Sequence, residues 1–194
     1  MSRQTIKKIR QTELIDAVVS AVHAHGFAAL TVSQIAKQAE TSTGSIHYYF
    51  GGKDALLEAT MRRLLAVLKS VTLERLRGKT DPRDRLAAIV GGNFDEAMLT
   101  AQNCSVWTQF WAYAPYIPSL ARLQRINKHR VQSNLRAELK HILPEDSVET
   151  ARSAIQAYMD GVWLHVAQSG EVADPARREA DAKQFLELLL RKTA

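Results

Sequence analysis

Two groups of side chains in this sequence are suited to recognition chemistry. The first is Thr43-Gly44-Ser45-Ile46-His47-Tyr48-Tyr49-Phe50, where hydroxyls and an imidazole crowd eight residues without a formal charge. Such groups exchange hydrogen bonds with phosphates or base edges, and the missing side chain of Gly44 lets helix backbone N–H groups approach a phosphate. The second group is aromatic. Trp107 and Trp111 stand one helical turn apart, with Cys104 a turn earlier, Phe110 beside them and the third tryptophan at 163. Ring faces attract a cation that has no N–H to donate, and a carboxylate beside them adds the opposite charge. Asp95, Glu96 and Asp160 are acids next to aromatic or apolar positions, and Phe94, Tyr113 and Tyr158 could complete a cage. The same Trp spacing also serves plain core packing.

Catalytic and metal chemistry find no comparable support. There is no Ser/His/Asp set and no Gly-rich phosphate loop, so an enzyme is not expected. His23 and His25 point to different helix faces, and no His-x-x-x-His or Glu-x-x-His pattern accompanies them. The single Cys104 excludes an intramolecular disulfide and a multi-Cys metal site. No metal and no cofactor are expected.

The elements that must position these groups are helices. Apolar residues recur at three- and four-residue steps almost throughout the 194 residues, and period-two β-branched runs are absent. Ile6, Ile9, Leu14, Ala17, Val18, Ala21 and Val22 form the stripe of a first helix capped at Gly26. Thr31 and Gln34 read as a capping box opening a second helix with Ile35, Ala36 and Ala39 buried. After a tight break at Glu40 and Thr41, Ser42 caps a third short helix, in which Ile46 and Phe50 point inward. Helices follow over Lys53 to about Arg77, and from Asp81-Pro82 to about Met98 with Gly91-Gly92 bending or ending it. Further helices are expected over about Ala101–Tyr113, Ser119–Ile142, Ser147 to a stop at Gly170, and from Asp174-Pro175 to the apolar Phe185–Leu190. The second and third helices, joined by so short a turn, form a helix-turn-helix unit whose third helix enters the major groove.

Charge is unevenly placed. The net is +6, yet residues 1–10 carry +4 and residues 122–140 carry +5, so the remainder is negative. The first block suits an arm on phosphate, while the second, spread along a long helix, reads as a solvated face. No apolar stretch reaches the length of a membrane span, and the N-terminus is polar and basic, so a cytoplasmic protein without membrane contact is expected.

The residues Thr31-x-x-x-Ile35-Ala36 and Ser42-x-Gly44-x-Ile46-x-x-Tyr49-Phe50-x-x-Lys53, followed by Leu56 and Leu57, resemble the signature of the TetR family of transcriptional repressors. Ile89 to Glu96, Trp107-x-x-Phe110-Trp111, Leu123 to Leu135 and Asp160-Gly161-Val162-Trp163-Leu164 are similar to the choline-responsive BetI subgroup. The resemblance implies an all-α protein of about nine helices. A helix-turn-helix DNA-binding domain would occupy residues 1–52, and a larger ligand-binding and dimerisation domain residues 53–194. It implies a homodimer on double-stranded, pseudo-palindromic operator DNA, with the last two helices pairing, and choline or a related quaternary ammonium as inducer. The implied targets are genes for choline uptake and glycine betaine synthesis; the alternative is an efflux repressor answering another lipophilic cation. Thr31, Ser42, Thr43, Gly44, Ser45, His47, Tyr48, Tyr49 and Lys53 are the expected DNA-side residues. Phe94, Asp95, Trp107, Phe110, Trp111, Tyr113, Tyr158, Asp160 and Trp163 are the expected ligand-side residues. Two departures matter: Glu40 stands where the family usually has Gly, and Thr41 where an apolar residue usually follows, so a positive φ at Glu40 would strain the turn by about 1 kcal/mol.

Overall fold

The structure is a computed structural model that describes residues 3–169 and 173–191. Within them are nine α-helices, two short 3-10 turns and no strand. The helices are α1 (Arg3–His25), α2 (Val32–Gln38), α3 (Thr43–Phe50), α4 (Lys53–Leu76), α5 (Pro82–Gly91), α6 (Ala101–Tyr113), α7 (Pro118–Leu139), α8 (Glu145–Ser169) and α9 (Pro175–Leu189). The expected stop at Gly170 lies outside the described residues. The chain forms two compact units, one of Met1–Leu64 with Gln102–Leu123, the other of Leu65–Ala101 with Gln124–Ala194.

In the first unit the α1 stripe buries Leu14, Ala17, Val18, Ala21 and Val22, but not the residues before them. Ile6 and Ile9 are exposed, contrary to the sequence reading: helical periodicity sets the spacing of apolar residues but does not by itself bury them. Gly26 ends α1 as expected, with φ +78° and its N–H donating to the Val22 carbonyl at 2.9 Å. The loop after it is held by α6. Gln109 Oε1 accepts from the Phe27 N–H, Gln109 Nε2 donates to the Val22 carbonyl at 3.4 Å, and Tyr113 stacks on Phe27 at 5.3 Å. Ile35, Ile46, Leu56, Leu57 and Met61 are among the residues buried with them, each contributing roughly 1.5–3 kcal/mol by leaving water.

The second unit buries Leu86, Ile89, Phe94, Met98, Leu99, Leu135, Leu139, Ile155, Met159 and Trp163. Helix α5 starts as its sequence dictates: Asp81 accepts from the Arg83 and Asp84 N–H groups, and Pro82 fills the first helical position. It stops at Gly91 instead of running to Met98. Gly92 sits so close to α4 that a Cβ would lie 2.8 Å from Thr72 Oγ1, and after a 3-10 turn Asp95 leaves helical geometry at ψ 146°. Asp95 Oδ1 then accepts from the Ala97 N–H, and its carbonyl from Met98 and Leu99, so this stretch is a hydrogen-bonded turn. Asp174 caps α9 by accepting from the Arg177 N–H at 3.0 Å, ahead of Pro175.

Candidate nucleic-acid interface

The helix-turn-helix is built by local caps. Thr31 Oγ1 accepts from the Gln34 N–H at 3.2 Å while the Thr31 N–H donates to Gln34 Oε1 at 2.7 Å, so the expected capping box is formed. At the other end of α2 the Thr41 N–H donates to the Ala36 carbonyl and the Glu40 N–H to the Lys37 carbonyl, the two bonds of a Schellman ending. That ending requires a left-handed residue, and Glu40 supplies it at φ +49°, the one non-glycine with positive φ among the described residues. Ser42 Oγ accepts from the Ser45 N–H to open α3, and Gly51 closes it at φ +82°.

With both ends fixed, α3 needs little burial. Ile46 is wholly buried and Phe50 half-buried, so α3 is anchored by one face. Thr43, Gly44, His47 and Tyr48 are exposed on the other, with Tyr48 71% accessible. Ser45, Tyr49 and Lys53 are half-buried at its edge, and Thr31 and Ser42 are exposed at the α2 and α3 starts. The Tyr48 and Tyr49 rings meet edge-on at 5.0 Å, which restricts both. Thr31 and Ser42 spend their hydroxyls chiefly on caps, so their first role is to aim α2 and α3. Residues 4–10, with Lys7, Lys8 and Arg10, extend from the bundle in helical form and are exposed throughout. Two supports escaped the sequence reading because they join distant positions: Gln11 Nε2 donates to the Tyr49 carbonyl at 3.5 Å, and Arg63 pairs with Asp16 at 2.8 Å.

The expected ligand-side residues fall into two groups, one in each unit. In the first unit Trp107 and Phe110 are buried and meet edge-on at 6.3 Å, Trp111 is half-buried, and Tyr113 lies against Phe27. In the second unit buried Phe94 meets Tyr158 edge-on at 6.2 Å. Tyr158 stacks on Phe185 at 4.3 Å, and the Trp163 indole donates to the Asn93 carbonyl at 3.1 Å. Phe185 was read only as part of an apolar helix end. The acids differ in their state. Asp95 is held by Arg75 at 3.0 Å, and Arg75 also reaches Glu179 at 3.0 Å. Burial works against the Arg75 charge, and its bonds to the two carboxylates outweigh it, raising its pKa. Asp160, exposed on α8, is crowded by its neighbours. That desolvation lifts its carboxyl to about 6, against the opposing pull of Lys128 and a hydrogen bond with Gln156. Cys104 is buried and its thiol is pushed up to about 12, so it is inert. No group of three or more metal-ligating side chains occurs among the described residues.

Comparison with known proteins agrees with this geometry. Residues 14–60 match the family described as bacterial regulatory proteins, tetR family, and residues 82–191 match the BetI-type transcriptional repressor C-terminal family. The chain is 39% identical over 191 residues to the HTH-type transcriptional regulator BetI of Burkholderia lata, covering 98% of each protein. Among solved structures, a transcriptional regulator from Rhodococcus sp. Rha1 superposes with TM-score 0.78 at 26% identity, covering 93% of this chain and 95% of that one. A regulator from Saccharomonospora viridis, solved in complex with choline, shares the fold with TM-score 0.75 at 20% identity, covering 91% and 95%. These relatives are DNA-binding regulators and not enzymes. The chain belongs to the TetR family of transcriptional repressors and carries a BetI-type C-terminal domain.

Proposed function

We propose that this repressor acts as a cytoplasmic homodimer on a pseudo-palindromic operator and is released by choline or a related quaternary ammonium, so controlling choline uptake and its conversion to glycine betaine. Residues 1–52 would bind DNA, and residues 53–194 the ligand and the second copy. The observation that carries the reading is α3: a doubly capped helix, anchored by Ile46, that offers hydroxyls and an imidazole to solvent. Two such helices would enter successive major grooves about 34 Å apart. Thr43, Gly44, Ser45, His47, Tyr48 and Tyr49 are the proposed reading surface, Lys53 and the basic start of α1 the phosphate contacts, and Thr31 and Ser42 their supports. Dimerisation is supported by the exposed small and apolar residues Ala157, Gly161 and Leu164 on α8 and Ala180 and Leu188 on α9.

For the ligand, support comes from the BetI relatives, the choline complex of the Saccharomonospora viridis regulator, and the aromatic side chains with Asp160. Trp111 is the half-buried tryptophan, with ring surface left for a cation. Phe94, Trp107, Phe110, Tyr113, Tyr158 and Trp163 are proposed as the remaining aromatic contributors. Asp95 would supply field more than contact, since Arg75 holds it. The signal would pass along α4, which opens with Lys53 beside α3. A hundredfold loss of operator affinity requires about 2.7 kcal/mol of preference for the non-binding state.

Separate loss of the two activities tests the assignment. Tyr48→Ala or Lys53→Ala is expected to weaken operator binding about tenfold and leave choline binding intact. Trp111→Ala is expected to bind operator normally and stop responding to choline; a variant that still responds at the same concentration would remove Trp111 from the site. A response to bulkier lipophilic cations but none to millimolar choline would turn the reading to an efflux repressor.

A further inference from the structure

Helix α7 carries its charge differently from the other long helices. Those of ten residues or more bear both signs, as in α1, α4, α5, α8 and α9, or no charge at all, as in α6. Within α7 stand five Arg or Lys side chains and one acid, Glu138, which is buried and paired with Arg85 at 2.9 Å. Four cations share a face. Arg125, Lys128, Arg136 and Lys140 recur at helical spacing, with Gln132 and Ser133 between them, and the Lys140 N–H still donates to the Arg136 carbonyl at 3.2 Å. Arg125, Lys128 and Lys140 are exposed and Arg136 is half-buried. At 1.5 Å per residue the row is about 22 Å long.

Little nearby cancels this charge. Glu149 of α8 pairs with Arg136 but is shared with Arg152 at 2.9 Å, and Asp160 of α8 attracts Lys128. Arg125 and Lys140 have no carboxylate within 4.0 Å among the described residues. Arg125 with Lys128 and Arg136 with Lys140 are like charges three and four residues apart, each pair costing about 0.2–0.5 kcal/mol. A bound anion relieves that repulsion. The neutral groups in the row decide which anion fits, because hydroxyl and amide donors bond phosphate oxygens alongside Arg and Lys. Ile126 is the one large exposed apolar side chain on α7, too little to enter a bilayer, and the face has no aromatic anchor of the kind that centres a protein interface.

We infer that the outer face of α7 is a second DNA surface, which holds the phosphate backbone of a duplex through Arg125, Lys128, Arg136 and Lys140 without reading its sequence. A row about 22 Å long spans a major groove about 12 Å wide, so its two ends reach phosphates of both strands. The basic block at residues 122–140 is then more than a solvated face. The surface shares no residue with α3 or with the proposed ligand set, and it does not depend on the identity of the inducer. A repressor seated on its operator keeps a cationic face for another stretch of DNA.

The test uses the full chain saturated with an unlabelled operator that the protein itself selects from random duplexes. A fluorescein-labelled duplex of unrelated sequence is then titrated and followed by anisotropy. Saturable binding is expected at 50 mM salt, weakening roughly 40- to 150-fold at 200 mM, as three or four phosphate contacts require. Arg125→Gln with Lys140→Gln is expected to weaken the labelled duplex at least tenfold and leave operator affinity within about threefold, while Arg125→Lys with Lys140→Arg retains both. Thermal melts of the Gln pair should match or exceed wild type, since exposed like charges are removed. No binding of the second duplex by wild type, or unchanged binding by either the folded Gln pair or the single Arg125→Gln, would overturn the inference. Capture of vesicles of phosphatidylcholine and phosphatidylglycerol in place of the duplex would overturn it too.

Discussion

Glu40 shows how a single side chain can oppose the backbone it occupies. The α2 ending needs a residue at C′ with positive φ, where a Cβ crowds the following carbonyl at a cost of roughly 1–2 kcal/mol. Among the described residues the exposed Glu40 side chain makes no hydrogen bond or ion pair that offsets this. Glu40→Gly is therefore expected to stabilise the protein by about 0.5–1 kcal/mol, strain relief less the added chain entropy of glycine, measured by denaturant melts. Destabilisation would mean that Glu40 has a folded-state role. Asp160 carries a second residue-scale prediction. Its raised pKa, about 6, means that the protonated form is favoured below that pH, and a bound cation favours the ionised form. Choline affinity should fall as pH drops through 6, by up to about tenfold at pH 5, and Asp160→Asn should flatten the profile. A pH-independent affinity in the wild type would take Asp160 out of the site. Interactions three or four residues apart, such as Thr31 with Gln34, were legible in the sequence. The Arg63–Asp16, Arg75–Asp95 and Arg75–Glu179 pairs were not, because their partners lie 47, 20 and 104 positions apart and local periodicity carries no trace of them.

At the scale of elements, starts were easier to read than ends. Asp81-Pro82 and Asp174-Pro175 fix helix starts through chemistry contained in adjacent residues, and the structure places α5 and α9 there. The end of α5 depends on α4: Gly92 packs against Thr72, whose hydroxyl is already committed to the Leu68 carbonyl at 2.7 Å. Gly92→Ala should therefore destabilise by about 1–3 kcal/mol, because neither the hydroxyl nor the Thr72 Cα, 3.4 Å from the added Cβ, can withdraw cheaply. A melting temperature equal to wild type would show that the α4–α5 approach is looser. Exposure of Ile6 and Ile9 has the matching explanation. Periodicity predicted the α1 helix correctly, but burial needs a second surface, and Ile6 and Ile9 remain exposed.

For the whole molecule, the +6 net charge resolves into separate jobs. The start of α1 offers exposed positive charge, while α3, the proposed reading helix, exposes side chains without a formal charge. Under the proposed function, specific recognition and electrostatic attraction would be carried by different segments, and operator affinity should fall steeply with salt. The most direct test of choline-released operator binding is a mobility shift with the DNA upstream of the protein's own gene, with and without choline. A saturable, sequence-dependent complex that millimolar choline dissociates is expected, with Tyr48→Ala failing to form it at wild-type concentrations. Binding that ignores both sequence and choline would contradict it.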